Sequence, residues 1–235
     1  MTNPVLLNNV HHKDLRVITS HGPQYTEREM YAYTFPAEFR SLQTYYPIVF
    51  HKGQDGSFDA LALLGFQDGE NLFLTDKGWD VPIVPLTIER QPFMIGRQGE
   101  ELMVHIDLDH PRVSNSEGER VFLEHGGNTE FLDRASQTLF DIHQGFESMP
   151  GFVAALQEYE LLEPFVADIE LNDGSQNRLA GFYTIHEERL AALDAAAIDR
   201  LHKANYLQAI YMQLASLSNF RNLIDRKNVV HAKQA

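Results

Sequence analysis

A repeated Asp-Gly turn set between apolar runs constrains this chain more than any other feature. It occurs at Asp55-Gly56, Asp68-Gly69 and Asp173-Gly174. Glycine takes a positive φ without steric cost, so Asp-Gly between apolar stretches signals a tight hairpin. The first turn separates residues 46–50 from 58–66, and the second leads on to 71–74, which predicts a three-stranded meander. The third separates residues 165–171 from 179–185. Within 58–66, Leu61, Leu63 and Gly65 alternate with Ala62, Leu64 and Phe66. Both faces are apolar, as in a central strand covered on both sides.

Further strands are expected over 15–18 and 30–35, and Pro36 opens a short helix over 37–44. Pro82, Pro85 and Pro92 make residues 79–93 an ordered crossing or edge segment, because prolines at that density oppose a helix or an inner strand. Residues 93–97 and 102–108 predict a hairpin around Gly99, and 109–128 a long loop. Phe131, Leu132, Ala135, Leu139, Ile142 and Phe146 then recur at helical spacing. They predict a helix capped by Asn128 and ending near Met149-Pro150, followed by a short helix over 152–159. Thr184 and Glu187 read as a capping box. Asp194 starts a long helix from 195 to about 226 whose nearly charge-free middle, 207–217, is expected to be buried. The fold class is α+β: a largely antiparallel sheet built from Asp-Gly hairpins and packed against C-terminal helices. Residues 1–235 read as a single domain, mostly β over 1–127 and mostly helical with one hairpin over 128–235.

Composition narrows the chemistry. The 235 residues include no Cys. That excludes disulfides, cysteine zinc sites, iron–sulfur clusters and a thiol nucleophile. The net charge of -14 and pI near 5.1 argue against nucleic acid as a partner. The N-terminus lacks a basic start and a signal-length apolar run, and no stretch approaches the roughly 20 apolar residues of a membrane span. The expectation is a soluble cytoplasmic protein without membrane insertion, with signal-less export to the cell surface left open.

One segment invites a metal reading, His105-Ile106-Asp107-Leu108-Asp109-His110. On a strand, positions i and i+2 share a face, so His105 and Asp107 are candidates for an imidazole and a carboxylate on one Fe(II). A distant histidine such as His125 or His143 would complete the set. The competing reading makes Asp107 and Asp109 turn residues. The run His11-His12-Lys13-Asp14-Leu15-Arg16 holds His12 as a candidate ligand for a metal or an anion, or leads into a strand whose buried positions are Leu15 and Val17. Trp79 and Arg90 lie in the proline-rich segment and are candidates for a ligand groove or a partner surface. No G-x-S-x-G turn, H-E-x-x-H helix, phosphate loop or G-x-G-x-x-G turn occurs. The late helix is a candidate seam for a homo-oligomer.

Several fragments, in order, resemble the SapC-like family of bacterial proteins. They are NNVHHKDLRV at 8–17, YAYTFPAEF at 31–39, YPIVF at 46–50, LLGF at 63–66 and GENLF at 69–73. RQPF at 90–93, IDLD at 106–109, PRV at 111–113 and residues 181–193 continue the series, and the likeness extends over nearly the whole chain. Asp109 and Arg112 enter as candidate binding residues through this resemblance. It implies a non-catalytic accessory or binding protein that assists uptake or modification of a compound. The implied protein partner is a flavin-dependent halogenase-like enzyme or an outer-membrane receptor system, because members tend to be encoded beside such proteins and beside cupin-like ones. Two alternatives stand next to it. One is a metal-dependent enzyme using His105 and Asp107. The other is a structural surface-layer component, since the family takes its name from a member linked to a paracrystalline surface layer. No cofactor or flavin site is legible, and enzymatic activity is disfavoured.

Overall fold

The computed structural model describes residues 3–25, 28–99 and 101–234. Its contacts divide the chain into two compact units, each assembled from three stretches. The first comprises Met1–Glu27, Leu74–Asp80 and Leu86–Gln144; the second comprises Arg28–Phe73, Val81–Pro85 and Gly145–Ala235.

The second unit is built on a five-stranded antiparallel sheet. Its order is Leu162–Glu170, Gln176–Ile185, Ile48–Lys52, Phe58–Leu63, Tyr31–Thr34. Ala60, Leu61, Ala62 and Leu63 are all buried, as a strand paired on both edges and covered on both faces requires. Asp55-Gly56 and Asp173-Gly174 lie at the tips of two hairpins of this sheet, with Gly56 at φ 85° and Gly174 at φ 81°. The two tips share one construction. A turn closes from Gly56 N to Gly53 O and from Gly174 N to Leu171 O, and the glycine takes the left-handed place of a three-residue connection. In each, the aspartate Oδ1 accepts from both the backbone and the hydroxyl of the serine two residues on, Ser57 or Ser175. In the long hairpin, Ala180 and Gly181 stand opposite Val166 alone, a bulge that places Gly181 at φ 86°.

Asp68-Gly69 is different. It turns the chain with Gly69 at φ 75°, but of the expected strand over 71–74 only Leu74 is in a strand, and that one pairs with Gly78–Trp79, so the expected third meander strand is absent. That chain is instead tied down by side chains. Glu70 accepts from Phe66 N through one carboxylate oxygen and from the Lys227 ammonium through the other. Gly65 lies so close beneath Glu70 that a Cβ there would sit 2.4 Å from its carbonyl oxygen. Lys227 is 4% exposed, so this is a buried ion pair.

Helices cover the sheet, with several departures from expectation. The helix Glu130–Glu158 runs unbroken through Pro150, although proline removes one rung of the ladder. Phe152, Val153 and Leu156 beyond the proline are buried and hold the continuation in place. The division between the units falls inside this helix, after Gln144. Its cap is Thr129, which accepts from Leu132 N, while Asn128 reaches Asp133. The expected late helix is cut into Ala195–Lys203, Tyr206–Ser216 and Phe220–Gln234, with Asn205 in the left-handed conformation at the first break. Asp194 caps as expected, accepting from Ala197 N at 2.7 Å. Thr184 does not cap. It is buried in the strand Gln176–Ile185, and His186 stands at the N-terminus of the helix Glu187–Ala191.

Thr184 is occupied by another contact. Ile48 keeps ladder partners on one edge, while on the other edge the pairing with Gln176–Ile185 is confined to His51 and Phe50. A buried backbone group left unpaired costs about as much as a lost hydrogen bond. The helix Tyr206–Ser216 supplies the missing partners. Ser216 Oγ accepts from Ile48 N at 2.9 Å, and Gln213 Nε2 donates to Ile48 O at 2.8 Å and to Thr184 Oγ1 at 3.1 Å. Two polar side chains in an apolar run thus replace a length of strand.

The first unit contains shorter elements. Pro4–Leu6, Glu101–Asp107 and Phe93–Gln98 form one antiparallel sheet, with Gly99 at φ 65° after the last of these. Val113–Ser114 and Glu119–Arg120 flank Arg16–Val17 in a second, and Leu74–Thr75 pairs with Gly78–Trp79. The region expected as a loop over 109–128 therefore contributes two short strands. The proline-rich segment contains one helical turn, Leu86–Glu89, directly after Pro85, where proline is compatible with a helix start. The core gathers Leu15, Val17, Phe93, Ile106, Val121, Phe122, Leu132 and Leu139.

Two measurements test this description. Gln213→Leu, which strands the Ile48 carbonyl, is expected to lower unfolding free energy in denaturant by about 1–3 kcal/mol; an unchanged midpoint would contradict the strand-substitute role. Asp173 is held down to about 2, mainly by the Ser175 hydroxyl and backbone N–H. Its folded value lies below the ordinary 3.8, so its contribution to stability is present above that value and is lost as pH falls toward 2. Carboxyl NMR titration should find this depressed value, and Ser175→Ala should move it back up.

Candidate ligand-binding cleft around Arg112

Among the described residues Arg112 is the largest side chain that is fully buried, at 2% exposure. It follows His110-Pro111 at the end of the strand Glu101–Asp107, where Asp107 organises the turn. Asp107 Oδ1 accepts from Asp109 N at 3.2 Å and from Asn3 N at 2.7 Å. His110 Nδ1 then accepts from Arg112 N, while its Nε2 stands 3.3 Å from the Gln91 side chain. The backbone around Arg112 is thereby fixed before its side chain is considered.

Arginine stays protonated at any ordinary pH, so a buried guanidinium must be met by acceptors. Gln91 supplies its backbone carbonyl to Nη1, and His21 Nδ1 accepts from Nη2. The Tyr25 ring lies 5.8 Å from the guanidinium carbon. The His21 contact also fixes a tautomer. Arginine has no acceptor, so Nδ1 carries the lone pair and Nε2 carries the proton. That proton is directed at Glu89, whose carboxylate oxygen lies 3.1 Å away. Glu89 is correspondingly held below the usual carboxylate range, first by this hydrogen bond and then, against the opposing effect of burial, by the charge of Arg112. The Trp79 ring packs edge-on against His21 at 5.8 Å, and Gly78 at φ 106° lets that strand pass close to the His21 carbonyl.

Beside this group lies a cleft of about 340 Å³ within the first unit. One wall is a helical face, Phe131, Arg134, Ala135 and Thr138, at the i, i+3, i+4, i+7 spacing that puts four side chains in a row. The other wall carries Arg90, Gln91, Phe93 and Arg112. Arg90 Nη1 donates to the Phe93 carbonyl at 2.7 Å, which holds that side chain along its own segment.

Three sequence candidates thus converge: Arg90 and Arg112 line the cleft, and Trp79 braces the histidine that accepts from Arg112. The others lie elsewhere in the unit. His12 Nδ1 accepts from Asn8 N within the Asn8–His12 turn, where Asn8 Oδ1 also takes the Val10 and His11 N–H groups. Asp109 is exposed. His105 lies against Gly96, where a Cβ would sit 2.4 Å from the ring, and its Nδ1 is 3.3 Å from Met103 O. Among the described residues no group of three or more His, Asp or Glu side chains is placed to hold one metal ion. Sequence reading missed His21, Glu89 and Arg134. His21 stands in an unremarkable His-Gly-Pro stretch, and Arg134 reads as a solvent-facing helix position.

The fold and this cleft define an α+β protein of antiparallel sheets with a small, partly cationic cleft. Among the described residues no helix is long and apolar enough to cross a membrane. The SapC family model matches residues 7–223 of the chain, and the protein belongs to that family. No curated protein matches the chain, and no solved structure does.

The Glu89–His21–Arg112 chain makes a defined prediction. His21→Leu deprives a buried guanidinium of an acceptor and should cost about 1.5–3 kcal/mol of stability in denaturant melts. Glu89→Gln should cost stability near neutral pH, and its difference from the parent should shrink as pH falls below 4.5, because a depressed carboxylate stops contributing once it is protonated. A pH-independent difference would contradict the assigned pairing.

Proposed function

We propose that this protein is a non-catalytic accessory or binding protein whose cleft beside Arg112 holds a small molecule for a partner that takes up or modifies it. The observation that carries this reading is the convergence of Arg90, Gln91, Phe93 and Arg112 on one cleft of about 340 Å³. That size lies at the lower end of small-molecule sites. The same residues belong to two of the fragments that carry the family likeness, RQPF and PRV. The groups beside the cleft are committed to holding one another. His21 has one ring nitrogen toward Arg112 and the other toward Glu89, an arrangement that orients a cation rather than activates a nucleophile. The partner is a protein, of the halogenase-like or outer-membrane receptor kind that the family's gene neighbourhood implies. The iron-enzyme and surface-layer alternatives have no comparable observation in their favour.

Neither unit is a continuous stretch of chain. The protein is therefore expected to unfold in one calorimetric transition, as a single domain would; two separate transitions would contradict this. For the binding reading, the full chain is to be screened by thermal shift against a set of small molecules spanning charge and apolarity. Hits are expected, and Thr138→Trp, which fills the cleft from an accessible helix position, should abolish them. No hit at millimolar concentration, or hits indifferent to Thr138→Trp, would overturn the assignment of this cleft.

A further inference from the structure

We infer that the ligand of this cleft is a small organic carboxylate with an apolar body, its carboxylate received by Arg134 and its body lying on Phe131 and Ala135. The inference rests on the proposed binding role and names the class of ligand.

Three observations carry it. First, Arg134 lines the cleft and forms no hydrogen bond or ion pair among the described residues. A guanidinium presents five N–H donors in a planar fork that matches a carboxylate with two parallel bonds. Second, the charges are unevenly placed. Arg90, Arg112 and Arg134 face Glu89 and Glu119 across the lining, and the Glu89 carboxylate is directed at His21. Three arginines against two carboxylates give this lining a net positive charge in a chain of net charge -14, which favours an anionic guest. Third, the remaining lining is apolar at one end. Phe131 and Ala135, one helical turn apart, present this surface, and the buried Phe93 ring backs Phe131 at 5.8 Å. A bare inorganic anion would make no use of that surface, and a neutral molecule would form no charge-assisted pair with Arg134. Arg112 contributes a fixed positive charge behind the site, already desolvated and oriented by His21 and Gln91, so a guest need not order it.

The test compares three probes on the full-length protein at low ionic strength: benzoate, its neutral counterpart benzamide, and inorganic phosphate. Titration calorimetry, or amide shifts of residues 131–138, reads the binding. Benzoate is expected to bind at least tenfold more tightly than either of the others. Arg134→Gln, on an exposed helix position with near-neutral helix propensity, is expected to keep the fold by circular dichroism and to erase the benzoate–benzamide gap. Arg134→Lys should retain part of it. Equal binding of benzoate and benzamide, phosphate binding as tightly as benzoate, or an unchanged gap in Arg134→Gln would overturn the ligand class while leaving a binding cleft in place. Failure of all three probes, together with an empty thermal-shift screen, would remove the binding role itself.

Discussion

A guanidinium with almost no solvent contact organises the first unit. Arg112 cannot shed its charge, so the hydrogen bonds that its terminal nitrogens lose to water must be replaced by the protein. The replacements come from segments far apart in sequence: His21 near the N-terminus, Gln91 beyond the short helix, and Tyr25 beneath the plane. Each of these is secured in turn. His21 is held by Glu89 and braced by Trp79, and Gln91 lies beside His110. Stretches with little regular secondary structure thus acquire one geometry, and the cleft beside them inherits it. A site framed this way presents its charge already oriented, which lowers the entropic cost of binding.

The second unit solves a different problem with the same logic. Its sheet narrows where the long hairpin and the strand Ile48–Lys52 stop pairing, and a buried backbone N–H and C=O would be stranded there. Ser216 and Gln213 meet them from a helix. The pair Lys227–Glu70 similarly fastens the last helix to the turn after Gly65. In both units, polar groups at apolar positions mark where regular pairing runs out.

This explains which parts were legible in the sequence. Local rules suffice where the determinant is local. Glycine at positive φ in Asp55-Gly56 and Asp173-Gly174, and the Asp194 cap, are visible within four residues. They fail where a distant group decides. Asp68-Gly69 has the same local signature, but Glu70 is drawn to Lys227, 157 residues away, and no strand of the same sheet follows. Thr184 looks like a cap until Gln213 claims it. Pro150 looks like a helix end until Phe152 and Leu156 find a core. In the cleft, Arg90, Arg112 and Trp79 were accessible through motif and residue type. His21 and Arg134 were not, since nothing within their own windows says what they face.

The central claim is that His21 is a neutral acceptor that holds Arg112 in place for the cleft. Long-range proton–nitrogen NMR on the His21 ring at neutral pH tests it most directly. The account predicts an unprotonated Nδ1 and a protonated Nε2. A ring protonated on both nitrogens, or carrying its proton on Nδ1, would contradict it.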